Sequence, residues 1–159
     1  MDKNSSPSGK EKDFKRPPKK YAPKGLTILY EDMDILVVDK INGLLTISSA
    51  GERENTTRFI LNDYVQKGNP KSHKRVYIVH RLDQDTSGVL VFAKSEKAKQ
   101  YLQTEWANFT KTYTAVVHGK LEEREGTVSS YLLESTVYKV FSTEDTTKGK
   151  LAETGYKVI

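Results

Sequence analysis

Two short aliphatic runs, Val76-Tyr77-Ile78-Val79 and Val89-Leu90-Val91-Phe92, bracket the polar segment His80-Arg81-Leu82-Asp83-Gln84-Asp85-Thr86-Ser87-Gly88. Each run is too short for a helix and rich in Val and Ile, so each reads as a buried strand. A chain with two such strands so close together is committed to a sheet. The segment between them holds a carboxylate, a guanidinium and an imidazole. Polar groups at the exit of a buried strand serve either chemistry or turn geometry. An Arg81–Asp83 ion pair and a hydrogen-bonded turn over Asp85-Thr86-Ser87-Gly88 would account for them structurally. A catalytic carboxylate with a cationic neighbour would account for them chemically. The residues alone leave both readings open.

The neighbouring pattern extends the sheet. Thr27–Glu31 and the more buried Ile35–Lys40 read as strands joined by Asp32-Met33-Asp34. Asn42-Gly43 is a turn signal, since both residues tolerate positive φ. Leu44–Ile47 reads as a third extended piece. Thr56–Gln66 carries Phe59, Ile60, Tyr64 and Val65 at helical spacing and stops at Lys67-Gly68-Asn69-Pro70. Lys71–Arg75 is a basic loop. Ser95 is an N-cap, with Glu96 in the first turn. The helix that follows carries Ala98, Tyr101, Leu102, Trp106 and Phe109. Thr112–Val117, Gly126–Leu133 and Val137–Phe141 read as strands, and Ala152 to Val158 alternates. Strands outnumber helices and are joined mostly by short turns. The expected class is α+β: a mixed, mainly antiparallel sheet with flanking helices.

At 159 residues the chain has room for one domain core. Residues 1–24 hold eight Lys/Arg against three Asp/Glu, so the chain's whole formal charge of +5 lies there. Proline, serine and lysine make this stretch a disordered basic tail by composition. Such a tail attracts polyanions, RNA or DNA above all, or serves only as a solubilising extension. The chain has no cysteine, which excludes disulfides and thiolate chemistry. That usage fits a reducing cytoplasm. No apolar run approaches the roughly 20 residues that span a bilayer, so no membrane partner is expected. His73, His80 and His118 lack metal spacing, and no metal is expected. Neither a phosphate loop nor a nucleophile-elbow serine is present.

The longer pattern favours chemistry. His80-Arg81-Leu82-Asp83-x-x-Thr86-Ser87-Gly88-Val89-Leu90-Val91-Phe92-Ala93-Lys94 closely resembles the signature of the RluA-type RNA pseudouridine synthases. Upstream, Ile28-Leu29-Tyr30-Glu31-Asp32-Met33-Asp34-Ile35-Leu36-Val37-Val38-Asp39-Lys40 resembles that family's first motif. Downstream, Phe109 to Gly119 resembles its lysine-x-tyrosine strand, and Ala152-x-Thr154-x-Tyr156-x-Val158 also fits. The first motif departs from the family after the lysine, where Ile41-Asn42-Gly43 replaces proline-alanine-glycine.

The resemblance implies isomerisation of uridine to pseudouridine in ribosomal or transfer RNA, without cofactor or metal. It implies that Asp83 is the catalytic carboxylate, and that Arg81, Tyr113 and His80 bind substrate. Arg81 would clamp the RNA backbone and help hold the base flipped out, and Tyr113 would pack against the uracil. The family's third motif, a glycine-arginine-x-histidine-glutamine-isoleucine-arginine-like segment, is expected after the Tyr156 strand and is not in this sequence. It would supply a cation to Asp83. Residues 25–159 are therefore expected to form the N-terminal part of a catalytic domain. Two rivals stand beside the synthase: a non-catalytic RNA-binding module, and an aspartate-based nucleoside hydrolase releasing free uracil.

Overall fold

The computed structural model describes residues 22–48, 54–69, 71–134 and 140–159. Most of the basic tail expected over 1–24 lies outside the described residues. The chain divides after Lys111 into two compact units. The class is α+β: every strand ladder is antiparallel, and one isolated bridge, Leu45–Thr56, is parallel.

The first unit is a four-stranded sheet covered by helices. Its strands are β1 (Leu26–Glu31), β2 (Ile35–Lys40), β3 (Tyr77–Ile78) and β4 (Gly88–Ala93), in the order β1-β2-β4-β3. Successive strand residues face opposite sides, so Leu36, Val38 and Lys40 of β2 share one buried face. Leu90 and Phe92 of β4 sit opposite Val38 and Leu36. With Leu26, Ile28, Val76 and Leu82 they form the core. Helix α1 (Thr57–Gln66) adds Leu61 and Val65 to that core. Phe59, expected on the packed face, is instead exposed. The face toward the sheet is set by Thr57, Leu61 and Val65, four residues apart. The Thr56 hydroxyl caps α1 by accepting from the Phe59 N–H.

Leu44–Ile47 forms no strand. The freed N–H groups of the first turn of α1 take its carbonyls instead: Thr57 N–H donates to Leu45 and Arg58 N–H to Thr46. Helix α2 (Glu96–Thr104) starts at Ser95 as expected, its hydroxyl accepting from Ala98 N–H. The chain then tightens into a 3-10 turn, Glu105–Asn108, which carries Trp106.

The second unit is a three-stranded sheet, β6-β5-β7, made of β5 (Glu125–Glu134), β6 (Val140–Thr143) and β7 (Lys150–Lys157). The strand expected over 137–141 is Val140–Thr143, and residues 137–139 lie outside the described set. Gly126 lets Tyr156 lie across β5, since a Cβ there would stand 3.0 Å from the Tyr156 hydroxyl. Thr112–Val117 is not a strand. Its residues are exposed, and among the described residues no ladder reaches them. Its β-branched composition supplies propensity, but propensity without a neighbouring strand makes no ladder. No helix among the described residues is long and apolar enough to cross a membrane.

Candidate active site

The segment after β3 is pinned at one residue. Leu82 is buried, and both of its backbone groups meet the buried Thr46 hydroxyl. Leu82 N–H donates to Thr46 Oγ1 at 3.2 Å, and that hydroxyl donates to Leu82 C=O at 2.6 Å. Its neighbours Arg81 and Asp83 are both exposed. An extended residue that turns inward sends the residues on either side outward, to the same side. Leu82 and Thr46 thus leave a guanidinium and a carboxylate exposed on either side of one buried residue. Among the described residues neither is engaged in an ion pair. The Arg81–Asp83 pair allowed by the sequence is not formed, so both groups are available to a ligand.

Past Asp83 the chain turns back at once: Thr86 N–H donates to Asp83 C=O at 3.2 Å. The turn therefore spans Asp83–Thr86 rather than Asp85–Gly88. Gly88 follows at φ +123°, a conformation that favours glycine, and starts β4. The turn is clamped to the Asn42-Gly43 turn through Gln84. Gly43 N–H donates to Gln84 C=O at 2.8 Å. The Gln84 side chain returns a bond to Gly43 C=O at 3.1 Å.

Beneath both turns lies Lys40, with 0 % of its surface exposed. Its ammonium donates to Ile41 C=O at 3.1 Å, Leu44 C=O at 2.8 Å and Gln84 C=O at 3.2 Å. An ammonium has three N–H groups, and all three are used. Burial pulls the Lys40 pKa down, while the carboxylates of Asp85 and Asp83 oppose that shift. A cation thus stands within electrostatic reach of Asp83, and it comes from the first motif. The family resemblance implied a cation from the third motif. Lys40 was not singled out by the sequence, because Ile35–Val38 are all apolar and only the fold shows every second residue buried.

His80 is half-buried and occupied internally. β3 pairs Tyr77 and Ile78 with Ala93 and Phe92, then ends. Val91 N–H, next along β4, donates instead to His80 Nε2 at 3.1 Å. The imidazole takes the place of a strand carbonyl. Its ring stacks on Trp106 at 4.4 Å between centroids. Lys111 lies over the same Trp106 ring. Burial holds the His80 pKa below its ordinary value, and Lys111 adds to this, while a backbone hydrogen bond with Arg81 opposes it. Tyr113 belongs to the second unit, where its ring is exposed. Among the described residues no three metal-binding side chains converge.

Residues 34–159 match the family model described as RNA pseudouridylate synthase. The chain belongs to this family. It is 37 % identical over 111 residues to the uncharacterized RNA pseudouridine synthase YlyB of Bacillus subtilis, covering 68 % of this chain and 37 % of that protein. It is 33 % identical over 138 residues to ribosomal large subunit pseudouridine synthase D of Blochmanniella floridana, covering 84 % of this chain and 42 % of that one. Among solved structures it resembles human RNA pseudouridylate synthase domain containing 4 with a TM-score of 0.57 at 17 % identity. That match covers 87 % of this chain and 54 % of the human one, and it shows the fold. The chain spans about two fifths of the length of the curated relatives it matches.

Proposed function

We propose that this chain provides the aspartate-bearing part of an RNA pseudouridine synthase, which converts uridine in folded RNA to its C-glycoside isomer. The observation that carries the reading is the Leu82–Thr46 pin, which presents Arg81 and Asp83 together above the buried Lys40. The bond between N1 of uracil and C1′ of ribose breaks, the ring turns, and C5 bonds to C1′. The C5 proton leaves and N1 gains one, so no atom is added overall. Asp83 acts as a carboxylate, either attacking C1′ or taking a proton from the sugar. Arg81 grips a backbone phosphate with its fork of donors while the uridine is flipped from its stack. Tyr113 offers an aromatic face to the base. His80 contributes to substrate binding by fixing the backbone from which Arg81 projects. The reaction needs no cofactor or metal.

Ribosomal RNA is the proposed substrate class, with transfer RNA the alternative. The names of relatives such as the Blochmanniella enzyme support the former. The cytoplasm is the proposed location, in keeping with the absence of cysteine. The test is chemical mapping of pseudouridine after incubating the complete gene product with ribosomal and transfer RNA. The Asp83→Ala variant should bind RNA and convert nothing. Conversion that survives this change refutes the assignment. RNA binding without conversion by the unaltered protein leaves only a binding module, and release of free uracil indicates a hydrolase.

A further inference from the structure

At the other end of β4 from the Asp83 turn, the first unit carries a second concave site of about 400 Å³. Its wall includes Lys67, Lys74, Arg75 and Lys94, with Glu31 and the exposed Met33 beside them. Glu31 is neutralised within the protein: Lys94 pairs with it at 2.7 Å, and the Tyr64 hydroxyl donates to it at 2.7 Å. Lys67, Lys74 and Arg75 are therefore surplus cations. Among the described residues none of the three is in an ion pair. Between Asp63 and Asp83 the sequence has no acidic residue at all.

The site is held in shape. Gln66 donates to Lys74 C=O at 3.2 Å, and Val76 N–H donates to the Asn62 side chain at 2.8 Å, which straps the basic loop to α1. Arg75 donates through Nε to the Tyr77 hydroxyl at 3.0 Å, and its guanidinium lies over the same ring. Lys67 caps α1 in the left-handed region, at φ 52° and ψ 41°. Glycine is the usual residue at such a cap, and a lysine there is strained. Strain retained beside a cluster of unpaired cations points to a role for the side chain.

The geometry points to a phosphate-binding site that grips the RNA backbone at a distance from the target uridine, which rests on the synthase reading above. We infer that Lys67, Lys74 and Arg75 bind phosphodiesters of the same RNA strand or stem that Arg81 holds. Arg81 lies six positions beyond Arg75 along the β3 edge, at most about 20 Å away. Two grips so far apart fix the direction of the RNA as well as its position.

The test uses the full chain and a fluorescein-labelled RNA hairpin with a uridine-rich loop, with anisotropy read between 50 and 200 mM KCl. A Lys74→Gln, Arg75→Gln double variant should bind more weakly, and its slope of log affinity against log salt should fall by about one to two. Lys67→Gly suits the left-handed cap, so it should melt at the same temperature as the unaltered protein or higher, yet bind the hairpin more weakly. Unchanged affinity and slope in the double variant overturn the inference and leave the patch to an acidic protein or to no partner. Pseudouridine formation is followed in the same RNA. If the unaltered protein converts nothing while the slope still falls in the variants, the chemistry fails and the phosphate grip stands.

Discussion

Replacing Lys40 with methionine tests the scaffold under the candidate carboxylate. Methionine keeps much of the volume and removes the ammonium. Ile41, Leu44 and Gln84 then lose their lysine donor, and Gln84 C=O alone keeps the Gly43 N–H bond shown here. Leaving two part-buried carbonyls short of a donor costs up to about 1–3 kcal/mol each. Part of this is offset, because the desolvated charge that burial already disfavours is removed as well. The net expected loss is about 2–3 kcal/mol, which lowers the melting temperature by roughly 10–20 °C for a unit of this size. Arginine should not rescue the variant, because a planar fork cannot meet three carbonyls arranged around a point donor. The assay is urea and thermal unfolding of Lys40→Met and Lys40→Arg, with hydrogen exchange at Gly43 and Thr86 reporting on the two turns. A Lys40→Met protein that unfolds with the unaltered one, and protects both amides equally, would refute the tripod argument.

Other expectations follow from the same contacts. Thr46→Val removes the hydroxyl that serves both Leu82 groups; it should cost about 1–3 kcal/mol in urea unfolding and lower pseudouridine yield, and Thr46→Ser should restore both. His80 has a folded pKa below its unfolded value, so the folded state binds fewer protons. Its stability is full above the unfolded value of about 6.5 and is lost as pH falls toward the folded one. Urea midpoints should therefore drop between pH 7.5 and 5, and this His80 component should vanish in His80→Phe. Gly88→Ala forces a Cβ onto φ +123°, where open space gives no steric relief; it should cost about 1–3 kcal/mol in thermal unfolding.

Local chemistry accounts for what could be read from the chain. The apolar run that opens Ile35–Lys40 marked β2, and Ser95 was legible as the cap of α2. The motif around Asp83 announced the family. Propensity failed where a strand needs a partner: Thr112–Val117 has β-branched residues and no ladder, and Leu44–Ile47 gives carbonyls to α1. The functional environment of Asp83 was the least legible part. Thr46 and Leu82 are 36 positions apart and Lys40 and Gln84 44 apart, and no local pattern couples residues at that separation.

Periodicity and a long motif are local properties, so the α+β class, the family and the candidate site residues were legible along the chain. Packing alone leaves Arg81 and Asp83 exposed and unpaired around a pinned Leu82, spends His80 on β4 and buries Lys40 beneath the turn that carries Asp83. Those outcomes depend on which distant backbone groups compete for each donor, and that competition is settled only when the chain has packed.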